Sequence, residues 1–180
     1  MKILLDACVL YPTVMREALI GAAKAGLYTP LWSERILEEW ARATIKLGAG
    51  AETIARGEIA VLKSQFPNAS VSVAKGVEAR LYLPDPNDIH VLAAAVSGHA
   101  DAIVTLNRKD FPAHILAEED VKRLDPDHFL FDLFQRDPGA MQDLAERIRL
   151  EASRLSGEDQ DMRKLFKKAR LPRFAKAVSF

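Results

Sequence analysis

A chain of 180 residues is long enough for one domain with a substantial core and a small appendage. Its 49% hydrophobic and 28% charged residues describe an ordinary globular protein, and a formal net charge of zero argues against a large constitutive nucleic-acid binder. The lone cysteine, Cys8, excludes an internal disulfide and a cysteine zinc site.

The opening "KILLDACVL" has the continuous apolar run of a strand buried on both faces. It is too short and too charged for a signal peptide, and no later stretch is long enough to span a bilayer. A cytoplasmic protein without membrane contact is therefore expected. Residues 13 to 25 show alanine-rich helical spacing and stop at Gly26. "LYTPLW" predicts a short strand. "SERILEEWARATIKLG" predicts a helix capped by Ser33 and ended by Gly48. Residues 51 to 65 predict another helix, closed by Pro67, and "ASVSVA" (69 to 74) alternates like a strand.

"LPDPNDIHVLAAAV" opens the next helix, which ends near Gly98. "DAIVTLN" is a strong strand, "DVKRL" a weaker one, and "DPDHFLFDLF" again starts a helix at Asp-Pro. From about Asp137 the pattern is purely helical. The alternation predicts an α/β fold with a parallel sheet covered by helices, as residues 1–136, and a helical extension, residues 137–180.

In such sheets ligands sit beyond the carboxyl ends of the strands. Asp6 ends the first strand, where a charge amid apolar neighbours needs a reason. Either it bonds the amides of a neighbouring helix or it serves a site. On the helix after Ser33, the stripe Ile36, Trp40, Ala43 and Leu47 leaves Glu38 facing solvent. Glu39 falls on the stripe's edge, and Glu34 lies in the first turn, where the helix dipole alone explains it. Asp85 and Pro86 read as a helix start and Asp85 as turned outward. Asp88 falls near the stripe Ile89, Leu92, Ala93 and Val96, so it is the better ligand candidate. Thr105, Asn107 and Asp110 follow the third strand.

Asp6, Glu39, Asp88 and Asp110 at one end of a sheet would repel one another without a cation. Hard oxygen donors with no cysteine or converging histidine suit Mg2+ or Mn2+. Such an ion supports in-line attack on a phosphodiester. His90, His99, His114 and His128 lack metal-ligand spacing and read as surface or capping residues. Dinucleotide, P-loop and nucleophile-elbow motifs are absent.

The order "LLDACVL", "SERILEEW", "DPNDIHVLAAA", "IVTLNRKDF" resembles the PIN-domain family over roughly residues 1 to 131. In particular it resembles the VapC-type toxins of bacterial toxin–antitoxin pairs. The resemblance implies an α/β/α sandwich and a Mg2+- or Mn2+-dependent ribonuclease silenced by a cognate antitoxin. By motif, Asp6, Glu39, Asp88 and Asp110 match the family's acids, and Thr105 and Asn107 match supporting positions. Cys8 stands where many relatives have serine, threonine or asparagine, which implies that a supporting hydrogen bond is missing or weakened.

Near the carboxyl end, Arg163, Lys164, Lys167, Lys168, Arg170, Arg173 and Lys176 come with no acid among them. They form either a solvated helix face or a surface for phosphate or a partner, with RNA the occupant that the resemblance suggests. The extension is open to substrate, antitoxin or homodimer contacts. Two rival readings share the acids: a single-strand or flap-type DNA nuclease, and a non-catalytic PIN-like binding module.

Overall fold

The amino-terminal apolar run forms β1 (Lys2–Leu5), with Ile3, Leu4 and Leu5 fully buried. The structure is a computed structural model and describes residues 1–179. After Asp6 the chain turns directly into α1 (Ala7–Leu10), a short helix that the strand-like sequence conceals. α2 (Thr13–Lys24) stops where Gly26 takes a φ of +78°, a left-handed conformation that costs glycine little. β2 (Thr29–Leu31) follows, then α3 (Glu34–Ala43), whose Ser33 cap accepts a hydrogen bond from Ile36 N. α3 tightens into a 3-10 turn, Thr44–Leu47, before Gly48, and α4 spans Ala51–Gln65.

The strand expected over 69 to 74 does not form. Val71 and Val73 are half-buried and alternate with exposed Ser70 and Ser72, but pairing is limited to one parallel bridge between Trp32 and Ser70. A neighbour on one side only, and contact at a single residue, leave no ladder to extend. α5 (Val77–Arg80) is a further short helix, and a 3-10 turn, Pro86–Asp88, leads into α6 (Ile89–Ser97). β3 (Ala102–Val104), α7 (Ala113–Ala117) and β4 (Lys122–Leu124) complete the sheet. The remaining helices are α8 (Pro126–Arg136), α9 (Pro138–Ser156), α10 (Met162–Lys168) and α11 (Pro172–Ala177). α8 begins at the Asp125-Pro126 pair where the sequence placed a helix start, and from there to residue 179 the described elements are all helical.

The strand order is β2-β1-β3-β4 and every pairing is parallel. Leu4 lies opposite Leu31 on one side and Ile103 on the other. Parallel strands covered on both faces need the unbroken apolar runs seen in β1 and β3. The fold is the α/β/α sandwich anticipated from the sequence, with a central parallel sheet and carboxyl-terminal helices. Among the described residues no helix is long and apolar enough to cross a membrane.

Contacts divide the chain into two compact units: Met1–Tyr11 with Thr29–Leu124, and Pro12–Tyr28 with the chain from Asp125 onward. The sequence suggested a division at 136/137; the contacts group α2 and α8 with α9 to α11. Three local features hold that second unit. Gly21 lets the Leu144 side chain sit where a Cβ would stand. The Tyr28 ring packs edge-on against Phe129 at 5.0 Å and its hydroxyl donates to Leu19 O. The buried carboxylate of Asp127 accepts from Arg173 N and Phe174 N at 3.0 and 2.9 Å, capping α11.

Candidate metal centre

The carboxyl ends of β1 and β3 lie side by side, and Asp6 N continues the ladder by donating to Val104 O at 3.2 Å. Asp6 is buried, yet its carboxylate makes no hydrogen bond to the amides of α1. Its Oδ2 accepts instead from Thr105 Oγ1 at 2.7 Å and from Cys8 Sγ at 3.2 Å. Cys8 Sγ also accepts from Leu106 N at 3.3 Å. The supporting hydrogen bond that the sequence left in doubt is thus made by the thiol. Burial, and then the charge of Asp6, push that thiol up to about 12. A neutral S–H is the form that can donate to a carboxylate.

The loop after β3 is organised in the same way. Thr105 Oγ1 accepts from Asn107 N at 3.0 Å, and Asn107 Oδ1 accepts from Asp110 N at 3.3 Å. Asn107 Nδ2 donates to Asp88 Oδ2 at 3.1 Å. One asparagine therefore ties the β3–α7 loop to the start of α6.

Carboxylate oxygens of Asp85, Asp88 and Asp110 lie within 4.8 Å of one another. Asp85 is the surprise. It caps the 3-10 turn, as expected, with Oδ1 accepting from Asn87 N at 2.9 Å. It is half-buried rather than turned outward, and it meets the other two acids. A carboxylate has two oxygens and several acceptor sites, so capping does not use it up. The sequence reading missed this because a local explanation already sufficed.

The electrostatics are those of a site lacking counter-charge. The Asp88 carboxyl is pushed up to about 6, first by burial and then by the charges of Asp6, Asp85 and Asp110; His90 acts in the opposite sense. Among the described residues no lysine or arginine forms an ion pair with any of these four aspartates. Clustered oxygen donors without a cationic partner fit a hard divalent cation such as Mg2+ or Mn2+.

Glu39 is engaged elsewhere. Its Oε1 stands 2.7 Å from His90 Nε2 and 3.7 Å from Arg35 Nε, and it lines an open groove along α3 with Glu34, Glu38 and Arg42. It does not join the group of three aspartates. Glu38, half-exposed like Glu39, pairs with Arg56 and Arg42, which together hold its carboxyl down to about 2.

His90 corrects the reading of the histidines as surface or capping residues, because it is 3% exposed. Neither ring nitrogen makes a hydrogen bond of good geometry, despite the short approach to Glu39. α6 is buried all round from His90 to Ala95, so its helical face could not reveal this. His99, His114 and His128 are exposed.

The expected basic residues Arg163, Lys164, Lys167, Lys168 and Arg170 are all exposed on α10 and the turn after it.

A PIN domain family model matches residues 2–109 of this chain, more than half of its length. A Mycobacterium tuberculosis protein named "Putative ribonuclease VapC50" is 53% identical over 45 residues, which is 25% of this chain and 27% of that protein. The match thus spans about a quarter of the relative's length. No solved structure matches the chain. With the parallel sheet and the acids beyond β1 and β3, the family match places this chain in the PIN domain family.

Proposed function

We propose that the protein is a divalent-cation-dependent ribonuclease, working in the cytoplasm as the toxin of a type II toxin–antitoxin pair and held silent by a cognate antitoxin. The observation that carries this reading is the group Asp85, Asp88 and Asp110, with buried Asp6 in electrostatic reach, beyond the carboxyl ends of β1 and β3. RNA as the substrate is supported by the name of the partial relative and by the resemblance to VapC-type toxins.

Asp88, Asp110 and Asp85 would hold the cation, with Asp6 beside them. When bound, Mg2+ or Mn2+ supplies positive charge to a phosphodiester and acidifies water. The protein's own contribution is preorganisation. Thr105 and Cys8 hold the Asp6 carboxylate, Asn107 holds Asp88 and the backbone of Asp110, and Glu39 lies 2.7 Å from His90 in the first turn of α6. Without the cation this acidic surface repels a phosphodiester, so loading and substrate binding are coupled.

The test is Asp6→Ala. It abolishes both RNA cleavage and growth inhibition, and full toxicity of that variant defeats the mechanism. Matched RNA and DNA strands separate ribonuclease from DNA nuclease. A non-catalytic binding module would show no Mn2+-dependent rise in melting temperature, because a ligand selective for the folded state must stabilise it.

A further inference from the structure

Several arginines outside the carboxyl-terminal turn are held in close ion pairs. Arg42, Arg56, Arg80, Arg149 and Arg154 each meet a glutamate within 2.8 Å. The span Arg163 to Lys176 differs in concentrating cations that have no such partner among the described residues, with no acid between them. Its seven cations are exposed, and among the described residues none forms an ion pair.

Their arrangement is directional. At 100° per residue, Arg163, Lys164, Lys167 and Lys168 fall within an arc of about 140° on α10. Phe166 lies outside that arc and is fully buried, stacked edge-on against Phe174 of α11 at 5.1 Å. Arg170 follows with a φ of +62° in the turn between the helices. The turn is held from below, because Leu171 is buried and Asp127 caps α11. Of the acids just before α10, Asp159 pairs with Arg149 at 2.6 Å and Asp161 accepts from Lys164 N at 2.8 Å, and neither forms an ion pair with the cations of the face. Like charges packed this closely cost stability unless a counter-charge arrives.

We propose that the face made by Arg163, Lys164, Lys167, Lys168 and Arg170, extended by Arg173 and Lys176, binds the phosphate backbone of single-stranded RNA. The face is purely cationic and carries no exposed aromatic residue between the charges, so it tracks phosphates and reads no base. The choice of RNA over other polyanions rests on the ribonuclease reading. The face lies outside residues 2–109, so the family match does not account for it.

The experiment measures binding of an uncleaved, fluorescein-labelled single-stranded RNA in EDTA, by anisotropy across a salt series. The full chain is compared with Lys164→Gln/Lys167→Gln/Lys168→Gln and with a charge-matched control, Lys24→Gln/Lys75→Gln/Lys122→Gln. Those three control lysines are also exposed. Circular dichroism and melting temperature verify that both variants fold. The first variant loses about tenfold or more in affinity, and its slope of log affinity against log salt flattens by about 2, as expected for three lost phosphate contacts on a single strand. The control keeps both values.

Equal loss in both variants means diffuse charge and overturns the proposal. Unchanged RNA binding in the first variant also overturns it, and loss of poly-glutamate binding alongside would identify an acidic protein as the partner. Because the readout needs no cation and no cleavage, failure of the ribonuclease reading appears separately, as absence of Mn2+-dependent cleavage by the unaltered chain.

Discussion

Replacing Asp88 by asparagine separates what the carboxylate does for function from what it costs the fold. Its carboxyl rises from an ordinary value of 3.8 to about 6 because burial and three neighbouring aspartates disfavour its charge. The folded state therefore binds this proton more tightly than the unfolded state. Stability falls as pH rises from about 4 to about 6 and stays lowered above that. For a fully desolvated group a shift of this size corresponds to about 3 kcal/mol. Asp88 is only half-buried, so solvent screening reduces the cost to about 1 kcal/mol. Asparagine removes the charge and keeps an oxygen for Asn107 Nδ2. In EDTA at pH 7.5, Asp88→Asn should melt about 2–4 °C higher than the unaltered protein. At pH 4, where the carboxyl is protonated in the fold, the gap should largely close. Saturating Mn2+ should reverse the order, because the unaltered site gains binding free energy that the variant lacks. A lower melting point for Asp88→Asn in EDTA, or an equal gain at pH 4 and pH 7.5, would refute the charge-repulsion argument.

Asp85 can be divided in the same manner. Asp85→Asn keeps the cap on Asn87 N and loses the charge, whereas Asp85→Ala loses both. Titration calorimetry should show weakened Mn2+ binding in both, but only the alanine variant should lose about 1 kcal/mol of stability. His90→Leu preserves bulk while removing the group beside Glu39, and should lower RNA cleavage about tenfold, with partial recovery in His90→Gln. In a Glu39→Gln background the same leucine should cost nothing more, and an additive loss would show that His90 acts only through packing. Cys8 should resist iodoacetamide in the native protein at pH 8, because burial and the Asp6 charge hold its thiol up at about 12. Rapid native labelling would contradict the hydrogen bond from Cys8 to Asp6.

The elements legible in the sequence were those whose signal is local. Ser33, Gly26, Gly48 and the Asp-Pro pairs at 85 and 125 announce helix ends through backbone chemistry within a few residues. The apolar runs of β1 and β3 could be read because parallel strands covered on both faces leave no polar alternation. What escaped depended on distant neighbours. The alternation at 69 to 74 is real, but only Trp32 is available to pair with it. α2 reads as any amphipathic helix, and the absent Cβ of Gly21 matters only because Leu144 arrives more than a hundred residues later.

The acids show the same division. Helical periodicity ranked Glu39 above Glu38, yet their side chains are about equally exposed at 42% and 38%, and both meet arginines. It could not rank residues around α6, which is buried on every side from His90 to Ala95. There the ranking comes from the β3–α7 loop. Asn107 reaches Asp88 through its amide nitrogen and the Asp110 backbone through its amide oxygen. That single side chain ties Asp88 to Asp110, and Asp85, still capping Asn87 N, stands as a third donor within 4.8 Å of both. A residue's local explanation and its part in a site are therefore compatible whenever its chemistry offers more acceptors than the local structure uses.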